Sequence, residues 1–409
     1  MFSNKYRVEN IIILLLFSLT FYVRTILPFG GTFFARIYYF EILLFCFLML
    51  SMLDFNKFFN FRFKKFDIIH LLFFISFFFF FISSFYYNFQ YNSNIQSIAK
   101  SLSYFVIIIS FFFVFARRIY RDGDFFEKLV DLILLFGFIL SVYAFVDYFL
   151  LKLHPAEEYR FTDSGIMVHP NSASFLYTVL IPITIYKYFC KRISFSKFLV
   201  ILLLFSFCFL FTFSRAGYIG VFSAILVMTF FRSKTIFVIS LILLVFSLST
   251  FVMDFAVLKS DSSISRGMLA ITAINMIFQD AHHFLWGYGV FHAKDVFLNE
   301  KIFSGSFEDV NHPHNVIMLL AIQFGALFTI STILTIAYLY IKAFFVRRRL
   351  INKNVKLRIT LCMAIASGII LQNMFEDIIS SPEFFVMPVF FTFLGYIYYA
   401  VVYNKSSAY

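Results

Sequence analysis

Long apolar runs, separated by polar connections, make up most of the chain. Residues 11–21, 71–81 and 201–213 carry no charged side chain. A helix needs about 20 such residues to cross the hydrocarbon core, where lipid cannot satisfy an open backbone. The pattern predicts an all-α polytopic membrane protein with about 12 transmembrane helices. The predicted spans are roughly residues 9–27, 37–54, 67–85, 98–116, 128–151, 170–188, 197–213, 216–231, 235–256, 314–341, 357–375 and 383–403.

Lys and Arg concentrate in alternate connections between these spans. Arg347, Arg348 and Arg349 lie in the tenth connection, whereas residues 86–97 and 372–382, in the third and eleventh, contain neither residue type. Cytoplasmic connections of membrane proteins are enriched in Lys and Arg. We therefore expect both termini in the cytoplasm and the odd-numbered connections outside. The same distribution explains the net charge of +12 without a nucleic-acid partner.

The composition favours a single membrane domain, residues 1–409, over a soluble enzyme. Hydrophobic residues make up 61% of the chain and charged residues only 14%, far from the balance of soluble domains. The four cysteines lie in or at the ends of apolar spans, with no disulfide or metal spacing. No soluble catalytic domain is evident in the sequence, and we expect no cofactor.

The largest polar segment, residues 257–313, connects the ninth and tenth predicted spans. It contains an apolar-periodic stretch, residues 268–278, which Ser265 could open as an N-cap. It also contains the only tryptophan, Trp286, in the sequence WGYG (residues 286–289). Loops of this length in compact proteins are usually functional or disordered, and this one is not disordered in composition. We expect a small helical extracytoplasmic loop domain lying on the membrane.

Arg215 lies in the sequence SRAG (residues 214–217), between two predicted spans with virtually no loop. The span that follows has only ~16 residues, or ~24 Å of helix against ~30 Å of hydrocarbon. Arg215 should therefore lie below the membrane surface, where a guanidinium is costly unless it faces a polar cavity or a partner. The alternative is an interfacial arginine that extends to the headgroups. Arg266 is predicted to open the loop helix on the same side, and two forked guanidiniums suit a diphosphate.

His314 begins the tenth predicted span, at the membrane boundary. Imidazole is suited to general-base chemistry near neutral pH, although a histidine here could simply hydrogen-bond the helix start. The other histidines of the predicted outer face match no zinc-ligand spacing, so we predict no metal. Glu376 ends the eleventh span on that side and could orient the histidine or balance the arginines, or be an ordinary helix-end carboxylate.

Four short motifs resemble those of the O-antigen ligase and O-antigen polymerase superfamily of bacterial envelope proteins. They are His314-Asn315 with Gly325 after nine further positions, the SRAG sequence with Arg215, Ser265-Arg266-Gly267 followed by the WGYG sequence, and His169-Pro170-Asn171. The order, predicted side and loop size also agree. Phe328 departs from the ligase pattern, which has Gly, Thr or Tyr at that position, so ligase and polymerase both remain open.

The resemblance implies a metal-independent membrane glycosyltransferase. Such an enzyme takes a glycan from a polyprenyl-diphosphate carrier at the outer face of the bacterial cytoplasmic membrane. It passes the glycan to an acceptor hydroxyl on a lipid, another glycan or a protein. By this resemblance Arg215 and Arg266 would bind the donor diphosphate and stabilise its developing charge, and His314 would take the acceptor's proton. The candidate supporting residues are His169, Asn171, His312, Asn315 and Glu376.

A transporter or flippase of lipid-linked sugars is the alternative function. An even number of spans with both termini inside is also common among transporters, which often contain repeated halves and polar sites at the membrane midplane. This sequence contains no evident repeat, and its polar residues concentrate at one face. The pattern therefore favours the enzyme. The expected partners are a lipid-linked glycan donor, a lipid or glycan acceptor and membrane lipids, with no nucleic acid.

Overall fold

The computed structural model describes nine stretches of the chain, and their regular structure is entirely helical. The predicted spans 9–27 and 37–54 lie outside the described residues. The described stretches are residues 68–90, 104–146, 170–212, 214–232, 234–253, 260–290, 292–300, 313–375 and 386–403.

Each predicted span from 67–85 onward contains helical structure in its described part. A π-helical segment, Ile109–Phe115, precedes α2. The helices are α1 (Ile68–Gln90), α2 (Ala116–Arg121), α3 (Gly123–Val146), α4 (Pro170–Phe189), α5 (Phe195–Leu210), α6 (Arg215–Phe230), α7 (Lys234–Met253), α8 (Ser260–Ile277), α9 (Ala281–Trp286), α10 (His292–Glu300), α11 (Val316–Phe324), α12 (Ala326–Arg349), α13 (Lys353–Asn373) and α14 (Val386–Tyr403).

Four of the described helices are long and apolar enough to cross a membrane: α3, α12, α13 and α14. The described residues contain only helices as regular structure, and together with these long apolar helices this confirms the all-α membrane class. The total of about 12 spans remains a prediction, since several described apolar helices are shorter than a full crossing.

At the centre of the described bundle, α13 packs against α4, α6 and α14, and α4 also packs against α6. Nearly every described side chain of α4 and α14 is buried, as expected for helices that are apolar on all sides. The helices approach closely where they carry glycine. A Cβ atom at Gly220 of α6 would lie 2.7 Å from the Gln372 side chain and 3.1 Å from the Gly368 carbonyl of α13. Small residues permit this approach, which is typical of membrane helix pairs.

Gly325 divides the predicted span 314–341 into two helices, so the prediction of one continuous helix is wrong. Gly325 has φ +87°, and a Cβ atom there would collide with the backbone of Leu285. Glycine adopts this backbone conformation without steric cost. The apolar pattern continues across the break, which is why hydropathy alone did not reveal it.

The segment 257–313 contains α8, α9 and α10, which confirms its helical character. The predicted N-cap is wrong: α8 begins at Ser260, so Ser265 and Arg266 lie inside the helix and do not open it. The polar residues 260–263 (sequence SDSS) are typical of a helix start, and the apolar stretch therefore marks only the later part of α8. Whether this segment is an extracytoplasmic domain remains a prediction.

The WGYG sequence anchors this segment to the break at Gly325. The Tyr288 N–H donates to the Ile322 carbonyl (2.7 Å), and the Gly289 N–H donates to the Gln323 carbonyl (3.0 Å). These carbonyls are near the end of α11, where a helix has no intrahelical donors left. Ser83 of α1 donates its hydroxyl to the Trp286 carbonyl (2.5 Å). The loop segment, α1 and α11 are thus joined at one point.

A buried ionic cluster joins α3, α4 and α13 at one end of the bundle. Glu127, 4% exposed, accepts hydrogen bonds from Tyr186 (2.5 Å), Lys187 Nζ (3.2 Å) and Arg358 Nε (3.1 Å). Arg192 also lies 3.0 Å from the Glu127 carboxylate. Several donors compensate the one buried carboxylate, which would otherwise be costly to remove from water.

Candidate functional site

Arg215 is the first residue of α6, and Ser214 is the N-cap of that helix. The Ser214 hydroxyl accepts a hydrogen bond from the Gly217 N–H at 3.1 Å. Because α5 ends at Leu210, the connection is very short, as predicted. The α6 helix has 16 residues, which agrees with the short span expected from the sequence. The Arg215 side chain is partly exposed beside this buried cap.

A chain of neutral side chains connects the Arg215 turn with α4 and α13. Gln372 donates from Nε2 to the Ser174 hydroxyl (2.6 Å), and Ser174 donates to the Ser214 hydroxyl (3.1 Å). The Gln372 carbonyl oxygen accepts from the Thr178 hydroxyl at 2.8 Å. Ser174, Thr178 and Gln372 are each 0% exposed and Ser214 is 2% exposed. The start of α6 is therefore held by hydrogen bonds that solvent does not reach.

His314 lies in the left-handed backbone region, with φ +50°, directly before α11. Histidine enters this region more readily than most residues, but it still stores strain of about 1–3 kcal/mol. Such strain persists only where neighbouring contacts fix the backbone, and it is common at functional sites. The His314 side chain is partly exposed, and its Nδ1 atom is buried.

Asn315 fixes the backbone that follows His314. Its Oδ1 accepts from the Ile317 N–H (2.9 Å) and the Met318 N–H (3.1 Å), so it is the N-cap of α11. Its Nδ2 donates to the Met374 carbonyl at 2.8 Å. Asn315 was predicted only as a supporting residue, and these contacts explain how it would support His314.

The two turns meet at the same end of α13. Gln372 connects to the cap of the Arg215 helix, and Met374 connects to the cap of the His314 helix. These two α13 positions are separated by a rise of about 3 Å along the helix axis. The structure thus connects two motifs, almost a hundred positions apart in the sequence, to the same helix end.

The other predicted site residues are less fully described. His169, His312 and Glu376 lie outside the described residues. Asn171 lies in α4 and Arg266 in α8, but the described part of the structure does not extend to their side chains. Their predicted roles therefore remain predictions.

Three side chains in the described residues could hold a metal ion. One ligand atom each from Asp280, His282 and His283 lies within 4.8 Å of the others. The cluster already has a structural role, because Asp280 caps α9 by accepting from the His283 N–H at 2.7 Å. That backbone hydrogen bond is the largest cause that holds the pKa of Asp280 below its ordinary value. The His283 ring also stacks on Tyr288 at 4.0 Å. Our expectation of a metal-free site remains a prediction.

Phe328, which departs from the ligase motif, packs in an aromatic cluster. Its ring centroid lies 5.0 Å from that of Phe324 and 6.2 Å from that of Phe80 on α1. The phenyl ring thus helps to pack α12 against α1 beside the helix break. This packing explains a phenylalanine at this position without any contact to substrate.

Sequence reasoning missed Ser174, Thr178 and Gln372. Their signal was polarity, because an amide or hydroxyl inside an apolar span needs a partner that lipid cannot supply. Hydropathy and charge do not indicate which partner each finds, so only the packing of α4, α6 and α13 reveals the network.

Residues 199–333 match the family described as O-Antigen ligase. The matched segment contains Arg215, Arg266, His314 and Gly325. No curated protein matches the chain at a significant level.

Proposed function

We propose that this membrane protein transfers a glycan from a polyprenyl-diphosphate carrier to an acceptor hydroxyl. The match of residues 199–333 to the O-antigen ligase family supports this proposal and the resemblance to the O-antigen ligase and polymerase superfamily. The observation that carries the proposal is the convergence of two motif turns on one end of α13. The Arg215 turn connects there through Ser214, Ser174 and Gln372, and the His314 turn connects through Asn315 and Met374.

Arg215 has the role of binding the diphosphate. As the bond between the sugar carbon and the phosphate oxygen breaks, the electron pair moves to the diphosphate and negative charge increases there. A guanidinium has paired N–H donors that match two phosphate oxygens, and it never loses its charge. Held at a capped helix start, it stabilises that charge in the transition state. Arg266 on α8 is the proposed second donor to the same diphosphate.

His314 has the role of general base. The acceptor hydroxyl attacks the sugar carbon, its proton moves to the imidazole, and the polyprenyl diphosphate departs with the bonding electrons. The backbone of His314 supports this role because a strained conformation is held between the buried Pro313 and the Asn315 cap. No step in this scheme requires a divalent cation, since two guanidiniums supply the positive charge.

The proposed reaction takes place at the outer face of the bacterial cytoplasmic membrane. The alternation of Lys and Arg supports this orientation, with both termini in the cytoplasm. Reporter fusions within residues 292–300 should be active outside the cytoplasm, and fusions after Arg121 and Lys353 should be active inside. A cytoplasmic location for α10 would contradict the proposal, because the donor glycan would be on the other side.

A transfer assay separates this enzyme from the alternative, a transporter of lipid-linked sugars. The purified protein is placed in liposomes with a polyprenyl-diphosphate-linked glycan and a hydroxyl acceptor. The enzyme should form glycosylated acceptor and release polyprenyl diphosphate in equal amounts. An intact donor that only moves between the two leaflets would show a transporter. Protein with Arg215→Ala in matched liposomes is the control for background cleavage.

A further inference from the structure

We infer that Gln372 is a positioning residue that fixes the Arg215 turn relative to His314. This inference rests on the proposed function and adds to it a residue outside the motifs of the sequence and outside the family match at 199–333. Gln372 touches neither reacting group in this account. It acts through the buried hydrogen bonds that end at the cap of α6.

The direction of the hydrogen bonds is set by the Gln372 amide. The Thr178 hydroxyl lies 2.8 Å from its oxygen and 3.1 Å from the Ser174 carbonyl, and the shorter contact leaves the Nε2 group to donate to Ser174. Ser174 can then donate onward to Ser214. Ser214 also accepts from the Gly217 N–H, so the last acceptor in the chain is the cap of the Arg215 helix. A side chain that cannot donate at position 372 interrupts this order at its first step.

Tight packing makes the position sensitive to small changes. Gly220 of α6 leaves room for the Gln372 side chain, since a Cβ atom there would lie 2.7 Å from its oxygen. Burial of the whole network means that water cannot replace a lost partner. Loss of the amide therefore allows the α6 start to move, and a misplacement of about 1 Å can cost about 10²-fold in rate.

The position of Gln372 near the end of α13 also relates it to both turns. Gln372 lies two positions before Met374, whose carbonyl accepts from Asn315. The end of α13 is thus a common reference for the caps of α6 and α11. A change in Gln372 should alter the position of Arg215 relative to His314 without removing either side chain.

The test combines Gln372→Met with Arg215→Lys in liposomes that contain equal amounts of folded protein. Methionine keeps the length of the side chain and removes both hydrogen bonds. We expect Gln372→Met to lower kcat by about 10–100-fold, with the donor KM changed by less than about 3-fold. In an Arg215→Lys background the same change should cost less than about 3-fold, because the positioned guanidinium fork is already absent.

Thr184→Val is the matched control, since Thr184 is a buried residue of α4 whose hydroxyl donates only within its own helix, to the Leu180 carbonyl at 2.9 Å. It should leave kcat unchanged. If Gln372→Met fails to accumulate, Ser174→Ala breaks the same chain by removing one oxygen and should give the same kcat loss. An equal loss from Gln372→Met in both backgrounds, or a loss no greater than that of Thr184→Val, overturns the inference. Full activity of Arg215→Lys alone would instead overturn the role of Arg215 in the proposed function.

Discussion

The two ends of α4 and α13 bury different kinds of polar group, one ionic and the other neutral. At one end, Lys187 of α4 and Arg358 of α13 bind the Glu127 carboxylate. At the other end, about 20 Å away along each helix, Ser174 of α4 and Gln372 of α13 form a neutral network. The ionic end joins these helices to α3, whereas the neutral end connects to the turns that carry Arg215 and His314.

The difference indicates a division between stability and chemistry. Removal of one partner from a buried ion cluster lowers the stability of the fold strongly, because it leaves an uncompensated charge. The neutral network contributes less energy, but it aligns two helix caps without adding charge beside the proposed diphosphate site. Substitutions at the ionic end should therefore reduce the amount of folded protein. Substitutions at the neutral end should reduce turnover in protein that is still folded.

His314→Ala should produce the largest effect on turnover. Loss of a general base costs about 10²–10⁴ in rate, while donor binding should persist because the arginines remain. His314→Asn is a companion variant, since asparagine tolerates the left-handed backbone and cannot serve as the base. Both variants should be equally slow in a transfer assay at matched protein levels. A near wild-type rate for either would show that the base lies elsewhere, with His312 or Glu376 as the next candidates.

Glu127→Ala should produce the largest effect on stability. It leaves the partly buried Arg358 without its carboxylate, whereas Lys187 keeps its ion pair with Asp131 at 2.6 Å, so the expected cost is at most about 3–5 kcal/mol. The melting temperature and the amount of protein in the membrane should fall, while kcat per folded molecule stays near wild type. A normal melting temperature with a large loss of kcat would contradict the proposed division between the two ends.

Asn315→Ala should have a smaller effect that combines both properties. Loss of the cap costs about 1 kcal/mol of folding free energy, and loss of the Met374 hydrogen bond releases the His314 turn. Asn315→Ser restores a capping oxygen but not the contact with Met374. We expect serine to recover the melting temperature and not the turnover. Recovery of both by serine would show that the contact between Asn315 and α13 has no role in the reaction.

Chelation of divalent cations should have no effect. The proposed reaction uses guanidiniums and no metal, so turnover in excess chelator should equal that of untreated protein. Asp280, His282 and His283 are the described residues to test if activity is lost. Loss that Mg²⁺ or Mn²⁺ reverses, and that His282→Ala reproduces, would replace the metal-free account.

Helix positions could be predicted from the sequence because each apolar run has to satisfy its own backbone in lipid. Arg215 and His314 could be identified because each stands in a short motif at the edge of a span. The break at Gly325 could not be predicted, since its apolar flanks continue the same pattern on both sides. The Ser174–Gln372 contact could not be predicted either, because it depends on how closely α4, α6 and α13 approach in three dimensions.

The most direct test of the account measures donor binding and turnover of Arg215→Lys in membranes with equal protein levels. Lysine keeps the positive charge and removes the planar fork, so paired contact with the diphosphate is lost. The account predicts normal insertion and accumulation with a turnover that falls by about 10²–10³, in the range found when one preorganised donor is removed. Turnover equal to that of the wild type would contradict the account and would make Arg215 an anchor at the membrane interface.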